Sequence, residues 1–296
     1  MKKISLYLLL QAATVLNFCG FAFPGTVIDQ TNRKVVVRDN PVRVVSLAPN
    51  VTEIVCALGQ RHRLAGVTMF SNYPEPVDKL PKVGSYIHPD IERIVALRPD
   101  LCIGIKDGNP KQTVLRLTGL NVPVYMVDPR NCESVMNTIT EIGRLLNADN
   151  RAKKIVQDMR TRIQKVKSLV AKTDKRPKVF FQIGADSLIS VGTNTFIHEL
   201  ILTAGGRNLG QGAVPYPVFS REQALAMGPD LIIITCMQKS GPIFEKAKAE
   251  WSKLKSINAV KNNRIFSADP DILNRPGPRL VDGLEILLGL IHPGLL

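Results

Sequence analysis

The chain has 296 residues, a formal net charge of +14 and only 5% aromatic residues. That length exceeds one ordinary hydrophobic core and accommodates two. Such a basic excess is the usual mark of a nucleic-acid binder, but no dense Lys/Arg block occurs and aromatics for base stacking are few, so that class is excluded. A solvated basic surface accounts for the charge, although it would also attract an anionic membrane or an acidic ligand.

The opening "MKKISLYLLLQAATVLNFCGFAFPG" has a basic start at Lys2 and Lys3, an apolar run, and small residues at Gly20 and Ala22. This is the pattern of a cleaved export signal over residues 1–22. Gln11, Thr14 and Asn17 weaken it as a membrane anchor. A lipoprotein attached through Cys19 is disfavoured, because bulky Phe18 stands where a small residue is wanted. Cleavage after Ala22 leaves 274 residues (296 − 22) and a charge of +12 (14 − 2). No other stretch is apolar enough to span a bilayer, so a soluble, exported protein is expected. Of the remaining cysteines, Cys56 and Cys102 fall in apolar helix or strand patterns, as buried free thiols do. Spacing leaves the pairing of Cys56, Cys102, Cys132 and Cys236 open, and no Cys-x-x-Cys supports zinc or dithiol chemistry.

Along the chain, "KVVVRDNPVRVVSLAP" predicts two strands joined by a turn at Asp39-Asn40-Pro41. The helix "TEIVCALG" follows and stops at Gly59. Strands and helices then alternate through "LCIGI", "QTVLRLTGL", "VPVYMVD" and "CESVMNTITEIGRLL", which predicts parallel α/β layers. Residues 149–174 form the longest helical pattern, with Ile155, Met159, Ile163, Val166 and Val170 on one face. A second alternating block starts at "KVFFQIG".

The two blocks repeat one another. "DIERIVALRPDL" at 90–101 and "SREQALAMGPDL" at 220–231 share a frame with a constant offset of 130 (222 − 92; 229 − 99). Glu53 lies six residues before Gly59, as Glu199 does before Gly205, and Asp128-Pro129 answers to Asp269-Pro270. The sequence therefore predicts an N-terminal lobe (23–148), a stiff connecting helix (149–174) and a C-terminal lobe (175–296), with a ligand cleft between the lobes. Asp90 and Ser220 have the character of N-caps. Glu92 and Glu222 then fall in first helical turns, where an acid complements the helix dipole whether or not it has a further role.

No Gly-x-Ser-x-Gly elbow, Walker loop or Gly-x-Gly-x-x-Gly is present. "HPDIE" brings His88, Asp90 and Glu92 together, but Pro89 breaks the spacing and no second histidine is near, so no metal site is expected. The chain is expected not to be an enzyme and to need no cofactor.

"RVVSLAPNVTEIVCALG", "FSNYPEPVDKLPKVGSYIHPDIERIVALRPDL" and "VPYPVFSREQALAMGPDL" resemble the substrate-binding proteins of metal-chelate ABC importers, over essentially the whole mature chain. "SNYPEP" and "VPYPVFSRE" resemble the cobalamin branch most. The resemblance implies two Rossmann-like α/β lobes on a rigid backbone helix, a periplasmic monomer, and a transported corrinoid held between aromatic side chains. A ferric siderophore or haem is the alternative cargo. It further implies ligand-binding roles for Asn50, Phe70, Tyr86, Tyr216, Asp271 and Arg275, and docking of Glu92 and Glu222 on arginines of a permease dimer. Read without the resemblance, the aromatics are equally core residues, and Tyr73, Pro74 and Pro76 shape a loop. Ile105 and Ile272 stand where the cobalamin branch has tryptophan, and Ile189 where it has phenylalanine. The one tryptophan, Trp251, lies outside these motifs. The N-terminal hairpin "TVIDQTNRKVVVRDNP" resembles the iron-chelate members more.

Overall fold

A computed structural model describes residues 25–184, 187–235 and 241–295. The expected export signal, Cys19 and Cys236 lie outside them. Strands Val44–Ser46, Leu101–Ile105 and Val124–Val127 are buried at every position, as strands with helices on both faces must be. With Leu64–Gly66 they form a parallel sheet in which Val44–Ser46 and Leu101–Ile105 are central. The second sheet sets Lys178–Ile183, Leu231–Thr235 and Ile265–Ala268 side by side in parallel. Leu188–Ile189 and Val218–Phe219 add antiparallel strands beyond Lys178–Ile183. Two α/β lobes result.

The repeated frame is a helix, a left-handed residue and a strand in each lobe. Helix Ile91–Ala96 leads into Leu101–Ile105, and helix Arg221–Met227 into Leu231–Thr235. The left-handed position is Gly228 (φ 58°) in one copy and Arg98 (φ 46°) in the other; only the glycine adopts it without a steric cost. The repeated aspartates hold the neighbouring strand. Asp100 accepts from the Arg43 amide at 2.9 Å, and Asp230 from the Lys178 amide at 2.9 Å. That part of the repeat is explained by folding alone.

Lys34–Val37 and Val44–Ser46 both form, but they do not pair with each other. The first alternates exposed and buried residues and pairs antiparallel with Gly25–Ile28. The second is buried throughout and belongs inside the parallel sheet. The hairpin is pinned by Asp29, which is 2% exposed. Its carboxylate accepts from the backbone of Thr31 and Arg33 and from the Arg33 guanidinium, which also donates to the Val124 carbonyl at 2.7 Å. Burial alone would raise the Asp29 pKa. The hydrogen bonds from Arg33 and Thr31 outweigh it and hold the carboxyl below its ordinary value.

The connecting helix runs Asp149–Val170, four residues short of the expected end at 174. Beyond Val170 the next positions on its buried face are Thr173 and Asp174, so continuing the helix would bury nothing apolar. It packs on Cys132–Leu145 before it and on Phe196–Thr203 and Leu280–Ile291 after it. Gly143 permits the first crossing, since a Cβ there would lie 2.6 Å from the Ala152 methyl. Arg162 ties it to the last helix through Asp282 at 2.6 Å and Glu285 at 2.7 Å. One apolar core extends from Val35 through this helix to Ile291, so the lobes share a continuous interior.

Candidate functional site

A cleft of about 540 Å³ opens between the lobes. Its walls follow strand C-termini: Asn50 after Val44–Ser46, Asp107 and Gly108 after Leu101–Ile105, Arg130 after Val124–Val127, and Asp271 after Ile265–Ala268. This is the edge where α/β layers leave room for a ligand. Asn50, Phe70, Tyr86, Tyr216, Asp271 and Arg275 all line it, so the structure brings every candidate ligand residue to one place.

Phe70 and Tyr86 meet edge to face in the N-terminal lobe, with ring centroids 5.8 Å apart. Gly108 makes room for Tyr86, since a Cβ there would lie 2.7 Å from its ring. Opposite them stands Tyr216 of the C-terminal lobe, whose hydroxyl donates to Asp107 at 3.4 Å. Desolvation, reinforced by the Asp107 charge, pushes the Tyr216 phenol up to about 12, so it stays protonated at neutral pH. The aromatic walls are themselves repeat-related, because Tyr86 and Tyr216 share the offset of 130 (216 − 86). That signal was present in the sequence beside the glutamates.

The charged groups among the described lining residues are paired. Arg130 grips Asp107 with both terminal nitrogens and reaches Asp128 at 2.5 Å. Burial opposes the Arg130 charge, and these carboxylates overcome it and keep the guanidinium protonated. Across the cleft, Arg275 donates to Asp271, to Asn72 at 2.9 Å, to the Phe70 carbonyl at 3.0 Å and to Glu53 at 2.8 Å. Among the described residues these bonds use both terminal nitrogens and leave only its Nε–H for another acceptor. Arg279 completes the cluster with bonds of 2.9 and 2.6 Å to Glu53, and its guanidinium lies 4.0 Å above the Tyr73 ring.

The comparisons with known proteins agree with this architecture. The family model for periplasmic binding proteins matches residues 44–272. The chain belongs to the periplasmic binding protein family. A vitamin B12-binding protein of Vibrio parahaemolyticus is 30% identical over 82% of this chain and 86% of its own length. An uncharacterized ABC transporter substrate-binding lipoprotein of Bacillus subtilis is 29% identical over 92% of this chain and 86% of its own. A periplasmic heme binding protein from Pseudomonas aeruginosa superposes with a TM-score of 0.78, at 30% identity over 86% of this chain and 94% of that one. The matched family consists of substrate-binding proteins, which carry a ligand rather than catalyse with a cofactor.

Several details of the binding protein differ from the sequence reading. Tyr73 is more than loop shape, because it stacks on Arg279. Ile105 and Ile189 line the cleft, whereas Ile272 is not among its lining residues. Asp271 and Arg275 face the cleft already bonded to each other. Glu53, Asp107, Arg130 and Arg279 join the site only through the tertiary structure. For Arg130 the available signal was its place directly after Asp128-Pro129, the counterpart of Asp271 after Asp269-Pro270. Glu92 and Glu222 are exposed in first helical turns outside the cleft wall, behind the N-caps Asp90 and Ser220, which accept from the amides of Arg93 and Gln223. Cys56, Cys102 and Cys132 carry free thiols.

Proposed function

We propose that this periplasmic binding protein captures cobalamin or a related corrinoid in the interlobe cleft and delivers it to an ABC importer. The observation that carries this reading is the cleft wall: Phe70 and Tyr86 on one side, Tyr216 on the other, and no unpaired charge among the described lining residues. Flat faces of a large ring gain area against aromatic side chains at little conformational cost. A polyanionic ferric chelate would instead be desolvated against a wall whose described cations, Arg130 and Arg275, are already paired with carboxylates. The vitamin B12-binding relative from Vibrio and the ABC transporter lipoprotein from Bacillus support cargo class and partner. Glu92 and Glu222, one per lobe and both exposed, dock on cations of a two-fold permease. Their duplication follows from the duplication of the lobes.

Haem is the second reading, favoured by the Pseudomonas heme binding protein and by the isoleucines at 105 and 189, which make the pocket less ring-rich than the cobalamin branch. Titration calorimetry of the mature protein with cyanocobalamin, cobinamide, haemin and a ferric siderophore decides between them. One-to-one corrinoid binding without added metal is expected. Tight haemin binding with no corrinoid heat would replace the first reading by the second.

A further inference from the structure

The glutamates of the second repeated motif, Glu53 and Glu199, are used by none of the roles above, yet both cross between the lobes. Glu53 lies in helix Pro49–Ala57 of the N-terminal lobe and is 3% exposed. It bonds Arg275 and Arg279, which follow Asp269-Pro270 in the C-terminal lobe. Glu199 lies in helix Phe196–Thr203 of the C-terminal lobe. It accepts at 2.5 Å from the Cys132 amide, just after Asp128-Pro129. Each acid thus reaches the segment that follows the other lobe's Asp-Pro. Because the two motifs recur in the same order in both lobes, the cross-connections form a pseudo-symmetric pair on the two flanks of the cleft.

We infer that Glu53 and Glu199 are cross-lobe struts that set the width of the cleft, and that Glu53 is in addition a positioning residue for its aromatic wall. The chain of contacts is direct. Glu53 fixes both guanidinium groups. Arg275 then holds the Phe70 carbonyl and Asn72, Arg279 holds the face of Tyr73, and Asp271 accepts from Asn72 at 2.9 Å. The loop from Phe70 to Tyr73, in the N-terminal lobe, is therefore gripped by C-terminal-lobe arginines whose own places depend on a buried N-terminal-lobe carboxylate. A carboxylate and two bidentate-capable guanidiniums have a narrow range of good geometries, so the cluster specifies one lobe spacing. Among the described residues Glu199 holds only the start of helix Cys132–Leu145 and no cleft loop, so the spacing is what depends on it.

This inference rests on the cleft being the ligand site, and the test separates the two. Hydrogen exchange is measured on Glu53→Gln, Glu53→Ala, Glu199→Gln and the charge-balanced Glu53→Gln/Arg279→Met, beside calorimetry with cyanocobalamin and haemin. Glu53 variants should exchange about tenfold or more faster in peptides covering 69–73 and 271–276, while the core strand Leu101–Ile105 stays protected as in wild type. Affinity for whichever probe the wild type binds should fall by a similar factor. Glu199→Gln should loosen the start of helix Cys132–Leu145 and spare 69–73. Uniform acceleration over the whole chain would mean a merely structural glutamate, and unchanged exchange at 69–73 would also overturn the inference. Should Glu53→Ala fail to fold, the charge-balanced pair, which leaves no lone charge, gives the same reading. If the wild type binds neither probe, the cargo proposal fails while the exchange result still decides the struts.

Discussion

Replacing Tyr86 with alanine removes one wall of the cleft while leaving its frame intact. In the free protein the ring's edge-to-face partner is Phe70, at 5.8 Å between centroids, and such a pair contributes about 0.5–1.5 kcal/mol beyond area burial. The Tyr86 backbone carbonyl, which accepts from Asn109 at 2.7 Å, survives the substitution, so the loop keeps its anchor. A stability loss of that size is tolerable in a domain stabilised by roughly 5–15 kcal/mol. Against a ring-shaped ligand the missing contact should cost about 1–2 kcal/mol, or roughly 5- to 30-fold in Kd. Gly108→Ala provides the control. Its Cβ would lie 2.7 Å from the Tyr86 ring, at a backbone φ of 142°, so the ring must move although it is still present. Both variants should weaken the ligand that binds wild type, by calorimetry, with circular dichroism confirming the fold. A folded Tyr86→Ala protein with wild-type affinity would make Tyr86 a packing residue and refute the aromatic wall.

Glu92→Ala and Glu222→Ala should each spare ligand affinity and weaken the complex with the permease, and the double variant should lose roughly tenfold or more. The loss should shrink as salt rises; a double variant that docks and transports like wild type while melting lower would leave both acids as helix-dipole partners only. Asp29 makes an acid-dependent contribution. Because its folded pKa lies below the ordinary value of 3.8, its stabilisation is complete above that value and disappears as pH falls through the lower folded one. Asp29→Asn should therefore cost about 1–3 kcal/mol at pH 7 and flatten the drop of Tm below about pH 4. An equally steep acid limb in the variant would assign that limb to other carboxylates.

The elements of this protein were legible where local pattern alone decides burial. "LCIGI" is free of polar side chains between turn residues, and it is a central parallel strand. Asp90 and Ser220 stand before apolar periodic runs, and both cap helices. The offset of 130 marked the duplicated helix-to-strand unit, because residues that shape a turn or cap recur wherever the unit recurs. Tertiary structure decided what those patterns touch. Glu53 reads as an ordinary helix residue, and its bonds to Arg275 and Arg279 span 222 and 226 residues of chain. Tyr73 reads as loop shape until Arg279 arrives above it from the other lobe. The helix end at Val170 and the partner of Lys34–Val37 likewise depend on which surfaces meet. Periodicity reports whether a side chain is buried, but which buried or cleft-facing groups pair is fixed only when the lobes dock and bring distant segments within bonding distance.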